Sequence, residues 1–449
     1  MQRAAHERDN LRQACQALVV GLPLLGAGAN TAAARDFDRE NQYGAITVHE
    51  SMQAKFPVFD RTRLMNAVTV NDIDRAPYLP DGVRVGNYMF YPEVAASVVK
   101  ADNMFTLKDR PADIRRELAA NLNVISQLPR HMFDFMLSGR AVSYQAHDER
   151  NFADGAAHLN ARLDINSGHA LVGNFMTKID HEEDRSDETP ANAKRSVEIW
   201  DSKADVGFVR SVGRLTTHVG ASAEHKEYHA AEGFDGSRVS QSYRDTDFYS
   251  TYLRSRYQLS PGYTLTGRVV GLAEQNRGSP TFNRTNHGVE ATVGMEFNVS
   301  SLFQASVEGG LTTRDYDQRA LVDITTAVFD SRFAWLMMPS LTIYGKALRR
   351  ATQTNAIGAS GRLDNVVGGS FEYEFQRNIV LKGGAQFTHM EFMGTSRIDG
   401  QWLFNASAQY FYNKNIYFTL EYVHEKRDSN ELGYDYQDNK IMASVKFRH

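Results

Sequence analysis

Charged side chains recur on one face of several long segments in which apolar and polar residues alternate. Side chains of a β-strand point to opposite faces in turn, so charges at every second position share a face. Such charges can order water and orient a polar or charged solute. The basic candidates are Arg140, Arg162, Arg254, Arg256, Arg268, Arg332 and Lys382, and the acidic candidates are Glu290, Glu308, Asp330, Glu372, Glu374 and Glu421.

The distribution of these charges allows two interpretations. Arg254, Arg256 and Arg268 lie on two segments joined by a turn and are expected to cluster. Glu372 and Glu374 lie several segments further along the chain. Segregation of this kind would set a field across an enclosed space. Alternatively, the charges pair with their neighbours and serve only to keep the surface that lines the enclosed space hydrated.

Other chemistry has little support in the sequence. The run 180–184 (DHEED), with Asp187 and Glu188, offers carboxylates to a divalent cation, although a solvated loop is the preferred interpretation. The chain contains neither G-x-S-x-G nor H-E-x-x-H, and no glycine-rich phosphate loop. We therefore predict no catalytic residues, no metal site, no cofactor and no enzymatic activity.

Bulk properties restrict the class of protein. The net charge is -4 without a long basic run, so a nucleic-acid partner is not expected. The mean hydropathy is -0.45, and no apolar run beyond the N-terminus is long enough for a membrane-spanning helix. Any insertion into a membrane must therefore use strands.

The chain divides into three parts. Arginines precede an apolar stretch at 17–29 and small residues at 32–34, which predicts a signal peptide at 1–34. An uncleaved anchor is the alternative. Residues 35–82 alternate poorly and are interrupted by Pro57, Pro77 and Pro80, so they are interpreted as a periplasmic N-terminal segment, and residues 83–449 as an outer-membrane β-barrel. Cleavage would remove Cys15, the only cysteine.

The segments from Val83 onward are typical of membrane strands. A soluble two-sheet sandwich would also alternate, but its strands average about 5 to 6 residues, and these segments are more than twice as long. Eight short turns, separated by longer polar loops, imply an all-β, up-and-down antiparallel barrel of about eighteen strands with both termini in the periplasm. The turns lie near positions 129, 167, 212, 261, 300, 339, 377 and 413.

Aromatic residues collect beside the short turns, as expected for the aromatic girdle at a lipid interface. Core aromatics of a soluble sheet would not be confined to the turn ends. The residues are Phe133, Phe135, Tyr257, Tyr263, Phe297, Phe303, Phe333, Trp335, Tyr373, Phe375, Tyr410, Tyr412 and Phe418.

Short motifs near the start of the predicted barrel resemble the β-barrel porin 2 family. They are 74–82 (DRAPYLPDG), Phe90-Tyr91-Pro92, 102–105 (DNMF) and Arg130-His131. The resemblance extends to the C-terminus. It implies an 18-stranded outer-membrane barrel associated with secretion of surface polysaccharide beside periplasmic export proteins, and it carries over no catalytic residues.

These observations predict a passive conduit for an exported surface polysaccharide. A barrel of this size encloses an aqueous channel unless residues 35–82 or an outer loop plug it. The expected partners are outer-membrane lipid, lipopolysaccharide, the barrel-assembly machinery and periplasmic export proteins. The alternatives are a general or solute-selective diffusion porin and an outer-membrane hydrolase, and the sequence does not decide between a monomer and a trimer.

Overall fold

The computed structural model describes residues 76–105, 112–182, 193–277, 283–300, 302–354 and 356–449. The predicted signal peptide and residues 35–75 of the predicted periplasmic segment lie outside these ranges. No helix in the described ranges is long and apolar enough to cross a membrane.

Eighteen long strands dominate the described chain. They are β1 Tyr88–Ala101, β2 Asp113–Ser126, β3 Met132–Tyr144, β4 Phe152–Asn166, β5 His169–His181, β6 Glu198–Val212, β7 Leu215–Tyr228, β8 Thr246–Ser260, β9 Tyr263–Asn276, β10 Asn286–Ser300, β11 Phe303–Tyr316, β12 Ile324–Met338, β13 Leu341–Thr352, β14 Arg362–Gln376, β15 Ile379–Phe392, β16 Ile398–Phe411, β17 Ile416–Ser429 and β18 Tyr436–Arg448.

Each strand pairs antiparallel with its neighbours in the sequence, and β18 pairs with β1, so the sheet is closed. The closing register runs from Glu93 opposite Arg448 to Ala101 opposite Lys440. A short strand, Val83–Val85, folds back on the start of β1. The predicted up-and-down barrel of eighteen strands is thus confirmed.

The connections alternate in length as the sequence predicts, with eight short turns at one end and nine longer connections at the other. The final strand begins at Tyr436, which pairs with Arg427 of β17. Antiparallel pairing continues above the lipid wherever two neighbouring strands remain side by side.

The turn between β8 and β9 shows why these connections can be so short. Ser260 pairs directly with Tyr263, which leaves only Pro261 and Gly262 in the turn. Gly262 has a φ of 82°, and a Cβ atom there would lie 2.3 Å from the carbonyl oxygen of Asn298. Only glycine combines this backbone conformation with so close an approach.

The two faces of the sheet differ sharply in chemistry. In β9, Leu265 and Val269 are exposed on the outside, whereas Thr266 and Glu274 are buried on the inside. The same alternation holds in β17, where Leu420 is exposed and Glu421 is buried. An exposed apolar exterior around a polar interior is the reverse of a soluble protein and typical of a membrane barrel.

The aromatic side chains predicted beside the short turns lie on the outer face. Neighbouring strands bring them into contact: the ring centroids of Tyr263 and Phe297 lie 6.1 Å apart, and those of Tyr410 and Phe418 lie 6.3 Å apart. Their positions, on the outside and near one rim, are those of an interfacial girdle.

The two neighbouring valines of β9 test the assignment of faces. Arginine at Val269, in the middle of the outer face, is expected to destabilise the barrel by about 2 to 4 kcal/mol, because its charge must enter lipid. The measurement is unfolding by urea in lipid vesicles, followed by the heat-dependent gel shift of the folded barrel.

Val270→Arg is the matched control. Val270 points inward and lies opposite Tyr252 and Glu290 in the adjacent strands. A new arginine there meets water and a carboxylate, so the free energy of unfolding should hardly change. Equal destabilisation by the two variants would contradict the assignment of faces.

Candidate functional site

The inner wall of the barrel carries the charges singled out in the sequence. All thirteen candidate residues, from Arg140 on β3 to Glu421 on β17, occupy strand positions facing away from the exposed apolar side chains. Four of them are buried among their neighbours: Arg140, Arg162, Glu372 and Glu421. The structure therefore places the set on one continuous surface, and the contribution of each residue to transport stays a prediction.

Most of these charges form local ion pairs. Each pair joins two residues that are close together along the chain or that lie on nearby strands. The pairs are Arg140 with Asp154, Arg162 with Asp164, Arg256 with Glu296, Arg268 with Glu290, Arg332 with Asp330, Lys382 with Glu372 and Arg377 with Glu374. Pairing on this scale weakens the field that segregated charges would produce.

The predicted arginine cluster is present. Arg254 of β8 lies directly opposite Arg268 of β9, and Arg256 lies two residues further along β8 on the same face. The guanidinium of Arg254 lies 5.1 Å from the ring centroid of Tyr252. Two members of the cluster bind glutamates of β10, so acidic side chains accompany the basic ones around this part of the wall.

A buried polar network next to this cluster was missed in the sequence. The Tyr252 hydroxyl donates a hydrogen bond to Asp205 Oδ1 at 2.8 Å and lies 3.2 Å from His218 Nε2. Gly207 and Gly220 make room for it, since a Cβ at Gly207 would lie 2.1 Å from His218 Nε2. The only sequence signal is two inward-facing glycines, which are opposite each other on neighbouring strands, and such a pair is too common to identify a network.

Loop residues fold onto the inner wall at the end with the long connections. Phe105 packs beside Tyr144, with ring centroids 5.5 Å apart, and both lie in a buried cluster with Val142. In the connection after β7, Arg244 donates a hydrogen bond to Glu182 Oε2 at 3.1 Å and lies 4.1 Å from the Tyr228 ring centroid. These contacts hold loop side chains against the inner wall at this end of the barrel.

The opposite mouth receives the start of the described chain. Tyr78 packs against the inward-facing Val380, Phe411 and Tyr417, and its carbonyl oxygen accepts a hydrogen bond of 2.5 Å from Arg448 Nη2. The chain therefore approaches β1 along the inner side of the periplasmic rim.

The acidic run is only partly described, because residues 183–192 lie outside the described ranges. Asp180 pairs with Lys178 at 3.3 Å, His181 lies 2.8 Å from Asp154, and Glu182 binds Arg244. Within the described ranges, no group of three or more His, Cys, Asp or Glu side chains is arranged to hold a metal.

The motif residues 102–103 lie at the seam of the barrel. The Asp102 carboxylate accepts hydrogen bonds from the backbone N–H and the side-chain amide of Asn439, at 2.7 and 2.6 Å. Asn103 donates hydrogen bonds from its backbone N–H to Asp438 Oδ1 and from its side-chain amide to the carbonyl oxygen of Gln437, both at 3.1 Å. The motif thus joins the first and last strands above β1, a role that its spacing does not reveal.

A closed sheet with an apolar exterior, an aromatic belt and a charged interior defines an outer-membrane β-barrel, a porin-like channel. The chain belongs to the family described as "putative beta-barrel porin 2", whose sequence profile matches residues 76–449. The resemblance stated from the sequence is therefore confirmed. No curated protein matches the sequence.

Solved structures similar to the chain are distant in sequence. OccAB4 of Acinetobacter baumannii is 12% identical over 80% of this chain and 98% of its own, with a TM-score of 0.45. OpdO of Pseudomonas aeruginosa is 13% identical over 81% of this chain and 98% of its own, with a TM-score of 0.44. The outer membrane protein OpdK of the same organism is 10% identical over 80% and 99%, with a TM-score of 0.44.

The arginine cluster should influence which ions cross the barrel. A unit charge about 10 Å from a permeating ion in water contributes about 0.4 kcal/mol. Because this contribution has opposite sign for an anion and a cation, Arg254→Gln is expected to lower the anion-to-cation permeability ratio about fourfold at low ionic strength. The ratio is read from the reversal potential of planar bilayers in a KCl gradient.

Arg210→Gln serves as the comparison, because Arg210 is exposed on the outer face of β6. It removes the same charge but should leave the reversal potential unchanged. A shift of equal size in both variants would show that Arg254 does not act from the pore.

Proposed function

We propose that the barrel is a passive conduit through which a surface polysaccharide crosses the outer membrane. The coarser statement, an outer-membrane porin-like channel, follows from the fold and the family. The finer one rests on the chemistry of the inner wall and on the association of the family with polysaccharide secretion.

The observation that carries the proposal is the composition of the inner wall. Charged side chains alternate with amides and hydroxyls around the described strands, as at Ser407, which lies opposite Lys382 on one side and Glu421 on the other. A polysaccharide presents hydroxyl groups in every direction, so it needs donors and acceptors spread over the whole surface it passes. Paired acids and bases supply both without a strong site that would hold the chain.

The conduit requires partners on the periplasmic side. We propose that periplasmic export proteins deliver the polysaccharide to the rim where Tyr78 and Arg448 meet, and that the barrel-assembly machinery inserts the chain. Lipopolysaccharide and lipid would surround the apolar outer face. Each association is open to test by cross-linking from cysteines placed at the corresponding rim or face.

Blocking the lumen should stop export. Replacing Ser407 by cysteine places one thiol on the inner wall, since Cys15 lies in the predicted signal peptide. A bulky, membrane-impermeant maleimide is expected to reduce newly exported surface polysaccharide in cells whose only copy of the gene encodes Ser407→Cys. The measurement is surface polysaccharide before and after labelling.

Ala406→Cys is the control, because Ala406 is exposed on the outer face next to Ser407. Its thiol faces lipid, so the reagent should change nothing. Unchanged polysaccharide in labelled Ser407→Cys cells, or in a strain lacking the gene, would contradict export. If the reagent instead abolishes only small-solute conductance and uptake, the barrel is a diffusion porin.

A further inference from the structure

A cavity opens on the inner wall near the cell-surface mouth. Phe248, Glu274, Asn286 and Tyr316 stand at one height on four consecutive strands, from β8 to β11. All except Asn286 line the cavity, together with Arg314, Arg284 and Gln353.

Most polar groups around the cavity already hold its structure. Asn286 Nδ2 donates hydrogen bonds to Glu274 Oε2 and to the carbonyl oxygen of Arg284, each at 2.9 Å. Arg284 donates to the carbonyl oxygens of Ala359 and Ala356, at 3.0 and 2.7 Å, which fixes the loop after β13 over the wall. These contacts within the protein shape the cavity in the absence of a ligand.

Arg314 differs from the other arginines of the wall. The carboxylates of Glu290 and Glu274 interact electrostatically with the Arg314 guanidinium. However, Glu290 forms an ion pair with Arg268, and Glu274 accepts a hydrogen bond from Asn286. Among the described residues, none forms a hydrogen bond or an ion pair with the Arg314 guanidinium. Within the part of the chain that the structure describes, a planar group with several donors therefore faces the cavity without a fixed acceptor.

The lining specifies a ligand with three kinds of group. A guanidinium recognises a carboxylate through paired, charge-assisted hydrogen bonds. The rings of Phe248 and Tyr316 offer apolar surface to a flat or ring-shaped unit. Glu274, Gln353 and the Tyr316 hydroxyl offer acceptors and donors to hydroxyl groups. A sugar ring that carries a carboxylate combines all three.

We propose that this cavity is a binding site for an acidic sugar unit, with Arg314 receiving the carboxylate. The assignment deepens the proposed conduit and rests on it, since it makes a uronate-containing polysaccharide the substrate class. A site at the outer end would give the emerging chain one weak resting point before release. Two guanidinium groups against one carboxylate give the cavity the charge that such a ligand requires.

Titration calorimetry of the full chain in detergent tests the site, with sodium galacturonate, galactose and sodium acetate as probes. Galacturonate should bind, and galactose and acetate should bind at least about tenfold more weakly, because each lacks one half of the recognised group. Arg314→Gln should weaken galacturonate binding at least about tenfold, and Arg314→Lys less, since it keeps the charge but loses the planar fork.

Arg319→Gln is the matched control: Arg319 is exposed in the connection after β11 and does not line the cavity. Gln353→Ala provides a second test should Arg314→Gln fail to fold, and it should weaken binding several-fold. The proposed site would be overturned if the wild-type protein did not bind galacturonate, or if the Arg314→Gln variant bound it as tightly as the wild-type protein does. Acetate binding as tightly as galacturonate would overturn its assignment to a sugar.

The results also separate the site from the conduit. Export that depends on the barrel, in a protein that does not bind galacturonate, removes the site and leaves the conduit. Galacturonate binding that Arg314→Gln abolishes supports the site even if loss of the gene leaves surface polysaccharide unchanged, and in that case only the conduit fails.

Discussion

A backbone N–H or C=O group inside the hydrocarbon core of a membrane has no water to bind, and each one left without a partner costs several kcal/mol. A sheet meets this constraint only if it has no edge. Here the last strand returns to the first, from Glu93 opposite Arg448 to Ala101 opposite Lys440. Asp102 and Asn103 extend the join above β1, so the family motif lies where the closure is completed.

Closure leaves the side chains free to divide by face. The outer face must be apolar to suit lipid, whereas the inner face, which the sheet shields from lipid, can vary with function. The inner wall uses that freedom for short-range ion pairs such as Arg268 with Glu290. Loops at one mouth and Tyr78 at the other add to the wall without interrupting the ladder.

The strand count, the turns and the face of each candidate charge could be predicted, because all three depend on a period of two and on turn residues. The partner of each charge could not. Arg268 meets Glu290 only through the register of β9 with β10, and alternation alone does not fix a register. The cavity was missed for the same reason: Glu274 and Arg314 come from different strands, and Arg284 reaches it through contacts with the loop after β13. The inward pair Arg314 and Tyr316 was the one local signal.

The central claim is that alternate side chains of each strand contact lipid and the enclosed water. Spin labels placed singly at positions 265–272 of β9, in lipid vesicles, test it most directly by their collision rates with oxygen and with a water-soluble nickel chelate. The account predicts that odd positions favour oxygen and even positions favour the chelate, in strict alternation. Uniform access to the chelate, or a period near 3.6, would contradict it.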